Sequence, residues 1–304
     1  MTQGHLAFDQ IHIDIARNST DDFNPFHDPL RWRNIGGNPF GAPIALGFQI
    51  EFLVSDRVMR HRQTEGVTDS NALTHRNFEF SFAGALRANE GFSVGVRKTV
   101  DKTAQGGGLS NRAVVRNAAG EPALIGTQSD TVGARFAAGD AFVVPTGLSS
   151  LPDRSIMPGT DLFLKRKFMN TSNAKNFALG ALCRQHDYID ELAERVFFAP
   201  LFSASLISCA LLEHGWSRGH DFEAEPMVYT SHKISVDMAE QHRLRSNDRL
   251  HILVAPPEPI PPSKGLGKIC VEQQHYRCLG IVGDDRPLFH ASLQLAPLQA
   301  FLVD

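Results

Sequence analysis

Two apolar stretches constrain this chain more than anything else in its sequence. Residues 45–62, ALGFQIEFLVSDRVMRHR, and 199–215, APLFSASLISCALLEHG, are long enough for helices of several turns and are apolar around most of the circumference. A helix of that kind has to be buried. Gly215 is placed to end the second one. Each stretch is followed by four runs with the length and bounding turns of β-strands. In the first half these are NFEFSFAG (77–84), GFSVGVRKTV (91–100), LSNRAVVRN (109–117) and EPALIGTQSDTV (121–132). In the second they are VYTSHKISVDM (228–238), DRLHILVAP (248–256), GKICVEQQHYRCLG (267–280) and RPLFHASLQLAP (286–297). The turns correspond too. NAAGEP and IVGDDRP close the last hairpin of each half, while the Gly-rich DKTAQGGG and the Pro-rich PPEPIPPSKG fall at matching places.

The order helix-then-sheet, met twice, predicts an α+β chain built by duplication, each half an antiparallel sheet able to wrap one helix. Its 304 residues suffice for two ordinary domains. We expect an N-terminal domain over 1–135, a linker over 136–160 rich in Gly, Pro and Ser, and a C-terminal domain over 161–304. A formal net charge of -3 and a pI near 6.5 argue against a nucleic-acid partner. The short basic run LKRKF (164–168) is expected to be a solvated strand end. Cys183, Cys209, Cys270 and Cys278 form no CxxC pair, so neither zinc nor a disulfide framework follows, and buried thiols in a reducing compartment are expected. The first residues lack a basic region followed by an apolar run, and no apolar stretch approaches the ~20 residues that span a bilayer. The expectation is a cytoplasmic protein with no membrane partner. No GxGxxG, P-loop or metal-ligand cluster occurs, so neither a nucleotide cofactor nor a metal is implied.

Residues 19–29, STDDFNPFHDP, concentrate polar groups in a way that has two readings. Asn, Asp and Pro build turns, so Asp22 can be a turn or capping residue and His27 a structural histidine. Alternatively the turn holds a reactive pair. Pro25 fixes its own φ and keeps Asn24 out of the α region, so the spacing from Asp22 to His27 is held stiffly. A carboxylate and an imidazole so placed can share one water and move its proton.

This motif, followed by GAPIALG (41–47) and a long helix, resembles the MaoC-like, (R)-specific enoyl-CoA hydratase family. The resemblance implies a hot-dog fold, a long helix wrapped by an antiparallel sheet, here in tandem. It implies catalysis by Asp22 and His27. Asn24 matches the rigid turn, Gly47 the start of the central helix, and Ser55 a helix serine that faces the site in some members. It further implies an acyl thioester substrate, with coenzyme A or phosphopantetheine as part of it rather than a separate cofactor. A homodimer of double hot-dog chains is compatible with it. Arg31 and Arg33 lie where they could reach the phosphates.

Two departures stand out. Family members commonly have His-Gly at the helix start, where this chain has Leu46-Gly47. The second half has lost the motif: His186 falls where a catalytic histidine would sit, but Ala181 stands five residues before it. We therefore expect one site per chain. Phe197, Phe198 and Phe202 in the silent half either make room for a bulky acyl group or are ordinary core. The activities left open are hydration or dehydration of the thioester, thioester hydrolysis, and non-catalytic acyl binding as a partner subunit.

Overall fold

The computed structural model describes residues 6–67, 72–136, 142, 146–261 and 272–301. The first half contains α1 (Gln10–Thr20) and α2 (Gly47–Thr64) and six strands: β1 (Leu6–Ala7), β2 (His75–Phe82), β3 (Gly91–Val96), β4 (Val100–Asp101), β5 (Leu109–Arg116) and β6 (Pro122–Thr131). The second half contains α3 (Thr171–Gly180), α4 (Pro200–Ser205), α5 (Ile207–Ser217) and α6 (Met238–Arg243). Its strands are β7 (Ser155–Ile156), β8 (Phe163–Phe168), β9 (Ile189–Asp190), β10 (Arg195–Val196), β11 (Met227–Asp237), β12 (Arg249–Val254), β13 (Glu258–Ile260), β14 (Gln273–Val282) and β15 (Arg286–Pro297).

Thirteen of these strands form one antiparallel sheet in the order β1-β3-β5-β6-β2-β11-β15-β14-β12-β8-β7, with β4 on β5 and β13 on β14. The first half supplies one side and the second half the other. They meet where β2 pairs with β11, Phe78 opposite Ile234 and Phe80 opposite His232. Phe78, Phe80, Ile234 and Val236 are fully buried there, in the same apolar cluster as the helices. Side chains alternate across a pleated strand, so one face of the sheet covers the helices. The expected α+β layout, long helices wrapped by an antiparallel sheet, is the one found.

Gln49 ties the start of α2 to its surroundings. Its carbonyl accepts from the Leu46 N–H at 3.2 Å, and its amide donates to the Gly180 carbonyl at 2.7 Å and the His12 carbonyl at 3.3 Å. Those bonds join α2, α1 and α3. Gly180 permits the approach, since a Cβ there would lie 2.8 Å from the His12 oxygen.

Three local expectations need correction. The second apolar helix is two segments, α4 and α5, meeting at Leu206, where ψ is -11°. The Ser205 hydroxyl donates to the Phe202 carbonyl at 2.7 Å, a back-bond that competes with the helix ladder at this point. Gly215 does not stop the helix. α5 continues to Ser217, and the left-handed residue beyond it is Gly219, with φ 78°. The basic run 164–168 is not a solvated end. It is β8, where Lys165 and Lys167 are buried and paired, Lys165 with Glu213 at 3.0 Å and Asp153 at 3.2 Å, Lys167 with Asp21.

Ser155–Ile156, within the stretch expected as linker, pairs with β8 at the sheet edge. Cys183, Cys209 and Cys278 are unpaired and buried, as expected, and Cys270 lies outside the described residues. So do parts of the expected linker, of the loop at 256–265 and of the strand at 267–280. Among the described residues no helix is long and apolar enough to cross a membrane.

Candidate active site

The motif begins where α1 stops. Asp21 takes the left-handed conformation, φ 55° and ψ 36°, that ends the helix, and the Asp22 N–H donates back to the Arg17 carbonyl at 2.9 Å. Asp22 Oδ1 then accepts the Asn24 N–H at 3.0 Å, and Asn24 Oδ1 accepts the Phe26 N–H at 3.1 Å. Pro25 opens a single 3-10 turn, Pro25–His27, which needs no N–H from its first residue. Asp28 closes the stretch by accepting from the Leu30 and Arg31 N–H groups and the Arg17 guanidinium. Burial would raise its carboxyl, but those donors outweigh it and hold the group below the usual carboxylate range. Asp21 and Asp28 are thus spent on structure.

His27 is fixed from the other side. Its Nδ1 lies 2.8 Å from the Ile44 carbonyl oxygen, and the Ile44 N–H donates to the Phe26 carbonyl at 3.1 Å. A carbonyl can only accept, so Nδ1 carries the proton and Nε2 is left as the basic nitrogen. Asp22 and His27 are both buried. Among the described residues, the Asp22 carboxylate has no hydrogen-bond partner beyond the Asn24 N–H.

Two adjoining cavities meet at this turn. One, of about 250 Å³, is mainly apolar and holds His27, Asn24 and Gly47 with Phe40, Ile50 and Phe82. The other, of about 300 Å³, holds Asp22 and Asn24 with Ser208, His214 and Arg218. Asn24, Met227 and Tyr229 border both. Asn24, His27 and Gly47 thus line one cavity, and Asp22 lines the adjoining one, with Asn24 on the border of both.

Gly47 has a packing reason as well. It is the first residue of α2, so its N–H has no acceptor within the helix. A Cβ on it would lie 2.9 Å from the Phe82 ring and 3.7 Å from His232. Below it sits a buried pair, His232 Nδ1 at 2.8 Å from Glu51 Oε1, enclosed by Phe48, Phe82 and Tyr229. Burial pushes the Glu51 carboxyl up, against the opposing pull of His232.

Ser55 is not part of this arrangement. It lines a third cavity, with Asp56, Arg60 and Tyr188. The serine in the Asp22 cavity comes from the other half: Ser208 Oγ lies 3.2 Å from the Tyr229 hydroxyl there. Burial pushes the Tyr229 hydroxyl well up, and the Asp22 carboxylate adds to the effect, so the phenol keeps its proton. Neither Ser208 nor Tyr229 was expected from the sequence. The available signal was register: Ser208 stands eight residues after the start of α4, as Ser55 stands eight after the start of α2.

The corresponding place in the second half lacks the pair. His186 is exposed on a 3-10 turn, and the buried Ala181 offers no carboxylate. Phe198 and Phe202 are fully buried and stack with centroids 6.2 Å apart, which makes them core rather than a lining for substrate. Phe197 stacks on His242 at 4.9 Å and lines the third cavity. Arg31 and Arg33 are both exposed, and Arg31 pairs with Glu223 at 3.3 Å.

No family model matches the sequence, and no curated protein matches it. Solved structures do match the fold. A MaoC domain protein from Chloroflexus aurantiacus aligns with a TM-score of 0.61 at 9% identity, covering 97% of this chain and 93% of that one. A conserved Mycobacterium tuberculosis protein, essential for survival during infection and described as a double hot-dog fold, aligns at 0.58 with 10% identity, covering 98% and 94%. A MaoC-like dehydratase aligns at 0.55 with 11% identity, covering 97% and 96%. At such identities the likeness concerns architecture, and it extends along nearly the whole of each chain. The chain has the double hot-dog fold seen in MaoC-like proteins.

Proposed function

We propose that this protein is an (R)-specific hydratase or dehydratase acting on 2-enoyl or 3-hydroxyacyl thioesters, with one reaction site per chain. The observation that carries the reading is the Ile44 carbonyl bound to His27 Nδ1, which leaves Nε2 basic in the cavity next to the one that holds Asp22. In hydration the pair holds one water. A base of the pair takes one proton from it, the oxygen bonds to C3, and the C2–C3 π electrons move toward the thioester oxygen. The Gly47 N–H at the start of α2 is suited to stabilise that oxygen. A proton returned to C2 completes the addition, so H and OH have been added across the double bond with no other reactant. Dehydration is the reverse.

The apolar cavity beside His27 suits the acyl chain, and the adjoining one, with Arg218, suits the carrier arm, whether coenzyme A or phosphopantetheine. Tyr229, at the boundary, keeps its proton and supplies a donor there. The test is to incubate the protein with a 2-enoyl-CoA in deuterium oxide and analyse the product. The expected product is the (R)-3-hydroxyacyl thioester with one deuterium at C2. An intact enoyl substrate, or a free acid with released thiol, overturns the proposal.

A further inference from the structure

One buried ionisable pair takes no part in the chemistry described above. Glu51 lies on α2, four residues after Gly47, and His232 lies on β11, so each half of the chain supplies one member. Both side chains are fully buried, with His232 Nδ1 2.8 Å from Glu51 Oε1. The surroundings are apolar. Phe48, Ile50, Phe52 and Leu53 flank Glu51 along α2, and Phe80 stands opposite His232 on β2. Taking both groups out of water is costly, and apolar side chains of comparable volume are often as stable or more so. Stability therefore does not account for the pair; its position does.

His232 adjoins two parts of the proposed reaction site. A Cβ on Gly47 would lie 3.7 Å from His232 Cε1, so of the two members the imidazole is the one beside the start of α2. The Tyr229 ring is 4.3 Å away, and Tyr229 borders both cavities at the motif. A β-bulge makes that second contact. Residues 229 and 232 are an odd number apart and would point to opposite faces of a regular strand. The β11–β15 register shifts between Tyr229 and Ser231, with Thr230 as the inserted residue, so Tyr229 and His232 share a face. Neither Glu51 nor His232 lines those two cavities, so the pair acts through Gly47 and Tyr229.

We propose, on the hydratase reading above, that Glu51 and His232 are a positioning pair for the reaction, a carboxylate holding a protonated imidazole against the start of α2. Negative charge collects on the thioester oxygen as the double bond is attacked, and the Gly47 N–H is the donor suited to that oxygen. A fixed positive charge beside the same residue strengthens that stabilisation, the more so in apolar surroundings. Burial opposes both charges of the pair. The Phe48 ring, 4.6 Å from the imidazole and tilted by 32°, offsets part of that cost, and the carboxylate at 2.8 Å offsets more.

Nitrogen-15 NMR of the histidine-labelled full chain at neutral pH reads the charge without any substrate. The His232 signal, assigned by its loss in a Glu51→Met/His232→Leu double variant, should show both ring nitrogens protonated. Steady-state hydration of a 2-enoyl-CoA reads the role. Glu51→Gln keeps the size and removes the charge; kcat should fall roughly tenfold or more with KM nearly unchanged. Glu51→Met/His232→Leu replaces the pair by apolar side chains of comparable volume. It should melt at or above the wild-type temperature and still lose kcat as the single variant does. A merely structural pair gives the opposite pattern: both variants lose stability, and kcat per folded molecule stays at the wild-type value. A neutral His232, or wild-type kcat in either variant, overturns the inference while hydration by the wild type stands. A wild type that hydrates no 2-enoyl-CoA overturns the hydratase reading and this inference with it, so the two failures are told apart.

Discussion

His27 donates through Nδ1 to the Ile44 carbonyl at 2.8 Å, and the Ile44 N–H answers with a bond to the Phe26 carbonyl at 3.1 Å. This reciprocal pair fastens the motif turn to the segment that leads into α2. The imidazole is therefore placed relative to Gly47 by two short bonds and not by the long loop between them. Removing either reactive group should leave the turn standing, because Asn24, Pro25 and Asp28 hold it independently. Asp22→Asn and His27→Ala should each lower kcat for hydration by about 10²–10⁴ with a smaller change in KM. Steady-state kinetics on a 2-enoyl-CoA check this, with circular dichroism confirming the fold.

Tyr229 reaches the site from the second half, hydrogen-bonded to Ser208. Tyr229→Phe removes the hydroxyl and keeps the ring that packs 4.3 Å from His232. Stability should change by no more than about 1 kcal/mol, the net worth of one hydrogen bond. Activity should fall by roughly tenfold, and Ser208→Ala should fall less. Measuring kcat/KM beside the melting temperature distinguishes loss of a donor from loss of packing.

Much of the fold was legible because the apolar stretches and strand runs are local patterns. The α2 helix and the strands β5, β6, β11 and β15 fall within two residues of their expected bounds. The basic strand β8 was not legible as buried, because its lysines are neutralised by Glu213, Asp153 and Asp21, far away in sequence. The site was legible to the same extent. Asn24, His27 and Gly47 belong to one continuous segment and line one cavity, with Asp22, from the same segment, in the adjoining one. Ser208, on α5, and Tyr229, on β11, come from the other half of the chain, a long-range arrangement that no local pattern encodes. Ser55, expected at the site from the resemblance alone, lines the third cavity instead.

Gly47→Ala adds a methyl 2.9 Å from the Phe82 ring, closer than such contacts tolerate. The expected cost is about 1–3 kcal/mol of overpacking strain. Phe82→Leu in the same chain should return part of that stability. Urea denaturation of the single and double variants reads both effects.

Asp130 binds two buried arginines, Arg62 at 2.6 Å and Arg76 at 2.9 Å. Burial alone would raise its carboxyl, but the two guanidiniums outweigh it and hold the group below the usual range. In the unfolded chain the same carboxyl takes its proton near pH ~3.9. The folded state thus binds fewer protons there, and stability rises with pH. The contribution is complete above that value and is lost as pH falls through the folded value. Asp130→Asn should destabilise the protein by about 3–5 kcal/mol at neutral pH, since it takes away the carboxylate that the buried Arg62 guanidinium pairs with. It should also flatten the acid limb of the stability curve, which denaturation midpoints across the acid range measure directly.

The most direct test of the central claim follows 2-enoyl-CoA absorbance and thiol release together in one reaction. The account predicts that the wild-type protein consumes the conjugated double bond without freeing thiol, and that Asp22→Asn loses most of that rate. Thiol release keeping pace with substrate loss, or full hydration activity in Asp22→Asn, would contradict it.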